Sequence, residues 1–190
     1  MPLKTLVKAG SITNLSDARY CAGMGVEMLG FGAVPGLENH IPAKLYQEIR
    51  GWVSGPKVVA EIYGIKDHAQ ISGVIEGYMP DLFELTFREY ANLPQLPVPA
   101  IIRIADDELE SMHMVTRPVA FWLISERAAL SFKVTNPTIP ILVEVGSPDA
   151  VDQLLKKEFI KGIAIRGSEE IRPGFKTYDV MADILESLAE

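Results

Sequence analysis

The sequence predicts an α/β protein folded as one closed (β/α)8 barrel of the TIM type, and three observations predict it. Eight short apolar runs recur along the 190 residues. They are too evenly apolar for a sheet with one wet face and read as the buried strands of a parallel sheet. Amphipathic stretches of helical period fall between several of them, and strand followed by helix eight times over closes into a barrel. An open doubly wound sheet is the alternative, but the glycine-rich phosphate turn expected after its first strand is absent.

Taken in order, the strand candidates are 6–9, 28–31, 57–62, 82–85, 100–104, 120–124, 141–145 and 162–165. The first runs through small residues into a helix over 17–24, with Ser16 or Asp17 suited to the N-cap. Residues 42–52 place Pro42 in a first turn and Leu45, Ile49 and Trp52 on one face. Segments 67–78, 106–115, 148–157 and 178–188 show the same helical patterning. Two stretches do not. Residues 88–99 hold Pro94, Pro97 and Pro99, and residues 126–140 hold Pro137 and Pro140. Proline removes a donor and clashes with the preceding turn, so the helices after strands four and six are expected short or missing. That accounts for a chain shorter than the roughly 250 residues usual for this architecture. No linker or repeat divides the chain, and residues 1–190 are read as a single domain.

Composition excludes several classes of function. A net charge of −7 argues against nucleic acid, which needs clustered Lys and Arg. No run is long and apolar enough to span a bilayer. The first residues, Met1-Pro2-Leu3-Lys4, lack the pattern of a secretion signal, and the lone Cys21 suits a reducing compartment, so the cytoplasm is the expected location. Cys21 itself reads as a small core residue. His40, His68 and His113 are too isolated to make a metal site, and neither metal nor cofactor is expected. His40 differs from the other two in falling after strand two, on the side where a barrel carries its site.

Six charged residues stand late in apolar strands: Lys8, Glu61, Glu84, Arg103, Glu144 and Arg166. In a barrel the carboxyl ends of the strands form the active face, so the six can converge there. Charges in such places are expensive unless paired or functional. Three readings stay open. They form a polar site, with Glu61, Glu84 or Glu144 as acid or base and Lys8 and Arg166 holding an anion. They close on one another as an ion-pair network that plugs the pocket. Or the alternation of the strand turns some of them outward.

The stretch Val7-Lys8-Ala9-Gly10-Ser11-Ile12-Thr13-Asn14 resembles the V-K-I-C-G-I-T-N opening of the phosphoribosylanthranilate isomerases. Gly25-Val26-Glu27-Met28-Leu29-Gly30-Phe31 is similar to that family's G-A-D-x-L-G-F second strand. Gly162 to Glu170 resembles G-V-D-V-S-S-G-V-E, and Pro173-Gly174-Phe175-Lys176 resembles P-G-V-K. The resemblance implies a single barrel and an Amadori rearrangement in tryptophan biosynthesis, with a cysteine base after strand one and an aspartate acid at the end of strand six. Gly10 stands at the base position and Ser125 at the acid position, with Glu126 beside it as a substitute. Asn39 aligns with the arginine that holds the anthranilate carboxylate. The implied phosphate site falls on Gly146 after strand seven and on Gly167 and Ser168 after strand eight, with Arg166 added. A glycine cannot abstract a proton, so the family's own isomerisation is not expected to survive unassisted. The expectation is an isomerase-like enzyme acting on a small anionic metabolite through Lys8, Glu61, Glu84, Glu126 and Glu144. The alternative is a non-catalytic binding or interaction barrel filled by ion pairs. Self-association as a homo-oligomer through the barrel loops is compatible with either.

Overall fold

The computed structural model describes residues 2–131, 137–167, 170–172, 175–176 and 179–190. Eight parallel strands close into a barrel in sequence order: β1 (Leu6–Gly10), β2 (Met28–Gly32), β3 (Lys57–Glu61), β4 (Leu82–Thr86), β5 (Ala100–Arg103), β6 (Phe121–Ser125), β7 (Ile141–Glu144) and β8 (Ile160–Arg166). Closure comes from β8 pairing with β1, Leu6 opposite Gly162 through Gly10 opposite Arg166. Each strand falls within two residues of its sequence expectation. A small antiparallel pair, β9 (Glu170–Arg172) and β10 (Phe175–Lys176), follows β8.

The outer ring is uneven. Helix α1 (Leu15–Gly23) starts two residues earlier than expected, because Asn14 is the N-cap and accepts the Asp17 N–H. Helix α2 (Ala43–Arg50) buries Tyr46 and Ile49. Helix α3 (His68–Tyr78) is capped by Asp67 and buries Ile71, Val74 and Tyr78. Helix α4 (Phe87–Asn92) is short, as its prolines require, and is held by a capping box between Thr86 and Glu89. After β6, α5 (Glu126–Ser131) is short as well. A 3-10 turn over Pro148–Ala150 leads into α6 (Val151–Leu155), and α7 (Asp179–Leu188) closes the ring. Among the described residues no helix is long and apolar enough to cross a membrane.

The segment Asp106–Met114 departs from expectation: it is a 3-10 helix, not an α-helix. Its half-buried apolar residues, Leu109 and Met112, stand three positions apart, and a helix with three residues per turn puts them on one face. Its acidic start is tied down from outside. Asp106 accepts from the Ser125 hydroxyl at 2.7 Å and from Arg127, and Glu108 accepts from Arg88.

Two cores result. The larger lies between strands and helices and contains Cys21, whose thiol burial pushes up to about 12, beside Met181. The smaller fills the barrel interior with Met28, Val59, Leu82, Ile101, Leu123, Leu142 and Ala164. Strand alternation then dictates what stands above that floor. Two residues further along each strand come Gly30, Glu61, Glu84, Arg103, Ser125, Glu144 and Arg166, with Lys8 above Leu6 on β1. Truncating the floor, as in Leu123→Ala, is expected to cost about 2–5 kcal/mol in urea unfolding, with the denaturant slope unchanged.

Candidate functional site at the carboxyl end of the barrel

A cavity of about 680 Å³ opens at the carboxyl ends of the strands, and Lys8, Glu61, Glu84, Arg103, Glu144 and Arg166 all line it. The reading in which alternation turns some of these charges outward is thereby overturned. All six occupy the inward register set by the apolar floor.

They are joined to one another. Lys8 Nζ lies 2.9 Å from Glu61 Oε1 and 2.6 Å from Glu84 Oε2, with all three side chains almost fully buried. Glu84 also accepts the Tyr63 hydroxyl proton, while Tyr63 accepts from Arg103 Nε at 2.9 Å. Arg103 grips Glu144 with two parallel hydrogen bonds, of 2.7 and 2.8 Å, and stands 3.6 Å from Glu84. Arg166 Nε closes the line on Glu144 at 3.1 Å. Three cations and three carboxylates alternate along the mouth with no net charge.

The glycines make this possible. β2 lies between β1 and β3 and contributes Gly30 and Gly32 to the inner face, so Lys8 reaches across it to Glu61. A Cβ at Gly30 would stand 2.3 Å from Glu61 Oε1, and one at Gly10 would stand 2.6 Å from both that oxygen and Lys8 Nζ. Gly10 is thus the space that the buried ion pair occupies.

Electrostatics hold Lys8, Glu84 and Glu144 ionised. Burial disfavours the charged form of Lys8, but Glu61 and Glu84 outweigh it and raise its pKa above the ordinary lysine value. Burial likewise opposes ionisation of Glu84, and Lys8 and then Arg103 overcome it, leaving the pKa lowered. Against the same opposition, the hydrogen bonds and charge of Arg103, with those of Arg166, bring Glu144 down to about 2. Burial, then the charge of Glu84, pushes the Tyr63 hydroxyl well above its usual value.

The other expected site residues fare differently. Glu126 is the first residue of α5 and is not part of the described cavity wall. Ser125, before it, spends its hydroxyl on Asp106 and accepts the Ala128 N–H at 3.0 Å. Gly146 also lies outside the wall, with open space where a Cβ would stand. Gly167 lines the cavity, yet its N–H donates to the Gly10 carbonyl at 2.7 Å and is not available to a phosphate. Ser168 lies outside the described residues. Arg166 keeps its terminal nitrogens without a partner among the described residues, and its side chain is 66% exposed. His40 reaches the wall beside Glu38 and Asn39. Tyr63 and Ser11 were not singled out from sequence. Tyr63 lies two residues beyond Glu61, and that spacing was the available signal. Ser11 acts through its backbone, which no pattern of side chains reveals.

A parallel eight-stranded barrel with a polar cavity at the carboxyl ends of its strands has the architecture of the barrel enzymes. Among solved structures it is the fold of the phosphoribosylanthranilate isomerases. One such isomerase, in complex with reduced 1-(o-carboxyphenylamino)-1-deoxyribulose 5-phosphate, superposes with a TM-score of 0.71 at 16% identity, covering 97% of this chain and 98% of the other. The enzyme from Thermus thermophilus gives 0.69 at 15% identity, with 96% and 98% covered. That from Pyrococcus furiosus gives 0.70 at 15%, with 97% and 98% covered. No family model matches the sequence, and no curated protein is significantly similar to it.

Two predictions follow from the network. Gly10→Ala is expected to destabilise the fold by about 1–3 kcal/mol, as overpacking does, in urea unfolding monitored by tryptophan fluorescence. The second concerns acid. The carboxyl of Glu144 is depressed in the folded state from 4.5 to about 2, so its contribution is complete above pH 4.5 and is lost as pH falls toward 2. That contribution is on the order of 3 kcal/mol, and Glu144→Gln should flatten the stability–pH curve across the same window.

Proposed function

We propose that this chain is a non-catalytic counterpart of phosphoribosylanthranilate isomerase, a barrel that binds a small polar molecule or a partner at its mouth. The observation that carries the reading is the closed pairing of the site, in which Glu61, Lys8, Glu84, Arg103, Glu144 and Arg166 each already meet an opposite charge, and the pKa shifts run the same way. A general acid of the carboxyl type needs its pKa raised toward neutrality, and a lysine base needs its pKa lowered. Here Glu84 and Glu144 are lowered and Lys8 is raised, so each group is fixed in its charged form. The position that bears the family's base is Gly10, and the Lys8–Glu61 pair fills the space a side chain would need. The cavity is of the size that small-molecule sites commonly have, roughly 300–1,000 Å³.

One observation favours a second reading, in which a small anionic metabolite is the substrate. The outer half of Arg166 faces solvent with its terminal nitrogens unengaged among the described residues, and it offers a fork for a carboxylate or phosphate.

The test is turnover of phosphoribosyl anthranilate, followed by loss of anthranilate fluorescence, with calorimetric binding of the same compound alongside. We expect no turnover by the native chain and none by Gly10→Cys, in which the new side chain meets Glu61 and Lys8. Turnover by the native chain, abolished in Glu144→Gln, would overturn the non-catalytic reading. Turnover abolished instead in Glu126→Gln would place the acid at the end of β6.

A further inference from the structure

We propose that Lys8, Ser11 and Asn39 form a carboxylate-binding seat in the barrel wall, which Glu61 of the same chain fills. This holds whether or not the barrel catalyses anything. The three donors meet the two oxygens of one carboxylate from three sides. Lys8 Nζ lies 2.9 Å from Oε1, Asn39 Nδ2 donates to Oε2 at 2.7 Å, and the Ser11 N–H reaches both oxygens, at 3.0 and 3.2 Å. A carboxylate offers about four lone-pair positions, so these contacts saturate it.

The seat is built, not incidental. Ser11 has φ 55, the left-handed region that non-glycine residues rarely adopt, and in that conformation its N–H is aimed at the carboxylate. The Asn39 amide is steadied by a second bond from Nδ2 to Ser11 Oγ at 3.1 Å. Gly32 lets the Asn39 backbone approach, since a Cβ there would stand 2.5 Å from the Asn39 carbonyl oxygen. Gly10 and Gly30 clear the space for Oε1 itself. Every donor addresses the carboxylate group, and none depends on the methylenes that tether it to β3. A free monocarboxylate small enough to fit the space, formate or acetate, therefore presents the same chemistry once the tethered group is removed.

The seat also ties the loops together. Ser11 belongs to the turn after β1, and Asn39 to the segment between β2 and α2. Both are fastened to one buried anion, as is the only charged side chain of β1.

The experiment is thermal unfolding of Glu61→Ala in formate, with chloride at equal ionic strength and formamide as controls. We expect the variant to melt below the native protein. Formate at about 50 mM should recover about half of the loss, rising further with the logarithm of formate concentration, by binding the folded form alone. Chloride and formamide should recover none of it, and native protein should show no formate-specific shift. Adding Asn39→Ala should weaken the apparent formate affinity about tenfold, as expected for the loss of one hydrogen bond to a charged group. Equal effects of formate and chloride on Glu61→Ala, or equal effects of formate on variant and native protein, would overturn the proposal. Should Glu61→Ala not fold in plain buffer, the yield on refolding from urea becomes the readout. A higher yield in formate than in chloride supports the seat, and equal yields overturn it.

Discussion

Lys8 is the residue on which the mouth of this barrel depends. The register of β3 and β4 sets Glu61 opposite Glu84 on adjacent strands, and both point inward. Neighbouring strands lie about 4.8 Å apart, so two carboxylates would repel one another in a medium that screens poorly. A cation between them turns repulsion into a closed triad. Burying three charges costs several kcal/mol per ion, and the arrangement recovers this only because every partner is in place. Removing one member leaves an uncompensated buried charge, a loss of about 3–5 kcal/mol. The neighbours follow from that constraint: glycine at positions 10 and 30, an amide at 39, a phenol at 63 between Glu84 and Arg103.

The same pairing sets the limits of the chemistry. Proton transfer near neutrality draws on groups whose charged and neutral forms are close in free energy. A salt-bridged network drives them apart, and each additional partner drives them further. Arg103 shows the effect most fully, held by two hydrogen bonds to Glu144 and one to Tyr63. The mouth of the barrel is thus polar in composition, with Lys8, Glu84 and Glu144 held in their charged forms. At the rim, Arg166 and Glu38 face solvent.

The fold was legible in the sequence because strand burial on both faces leaves uninterrupted apolar runs, and proline marks where the outer ring thins. The 3-10 segment was not, since a charged stretch with apolar residues at 109 and 112 fits either helix until packing chooses the period. The six late-strand charges were legible as a set, and the inward floor of Val59, Leu82, Ile101, Leu142 and Ala164, each two residues earlier, was the key to their direction. Their pairing was not. Which cation meets which carboxylate depends on the stagger of strands around a closed barrel, and on the glycines of β2 that let β1 reach β3. The Ser11 contribution is a backbone N–H, to which side-chain patterns are blind.

Gly10 acquires a different meaning in this light. Taken alone, glycine at the position of a catalytic cysteine is simply a lost base. In the barrel it is required, because Lys8 Nζ and Glu61 Oε1 both stand where its Cβ would be. A side chain at position 10 and the Lys8–Glu61 pair exclude each other sterically, so a base there demands that Glu61 shorten or Lys8 withdraw. Either change strands another group: Glu61 without Lys8 faces Glu84 unscreened, and Lys8 without Glu61 leaves Ser11 in its left-handed turn with nothing to bind. A side chain at position 10 and the intact Lys8–Glu61 pair are therefore alternatives, and any substitution at Gly10 acts on the whole network.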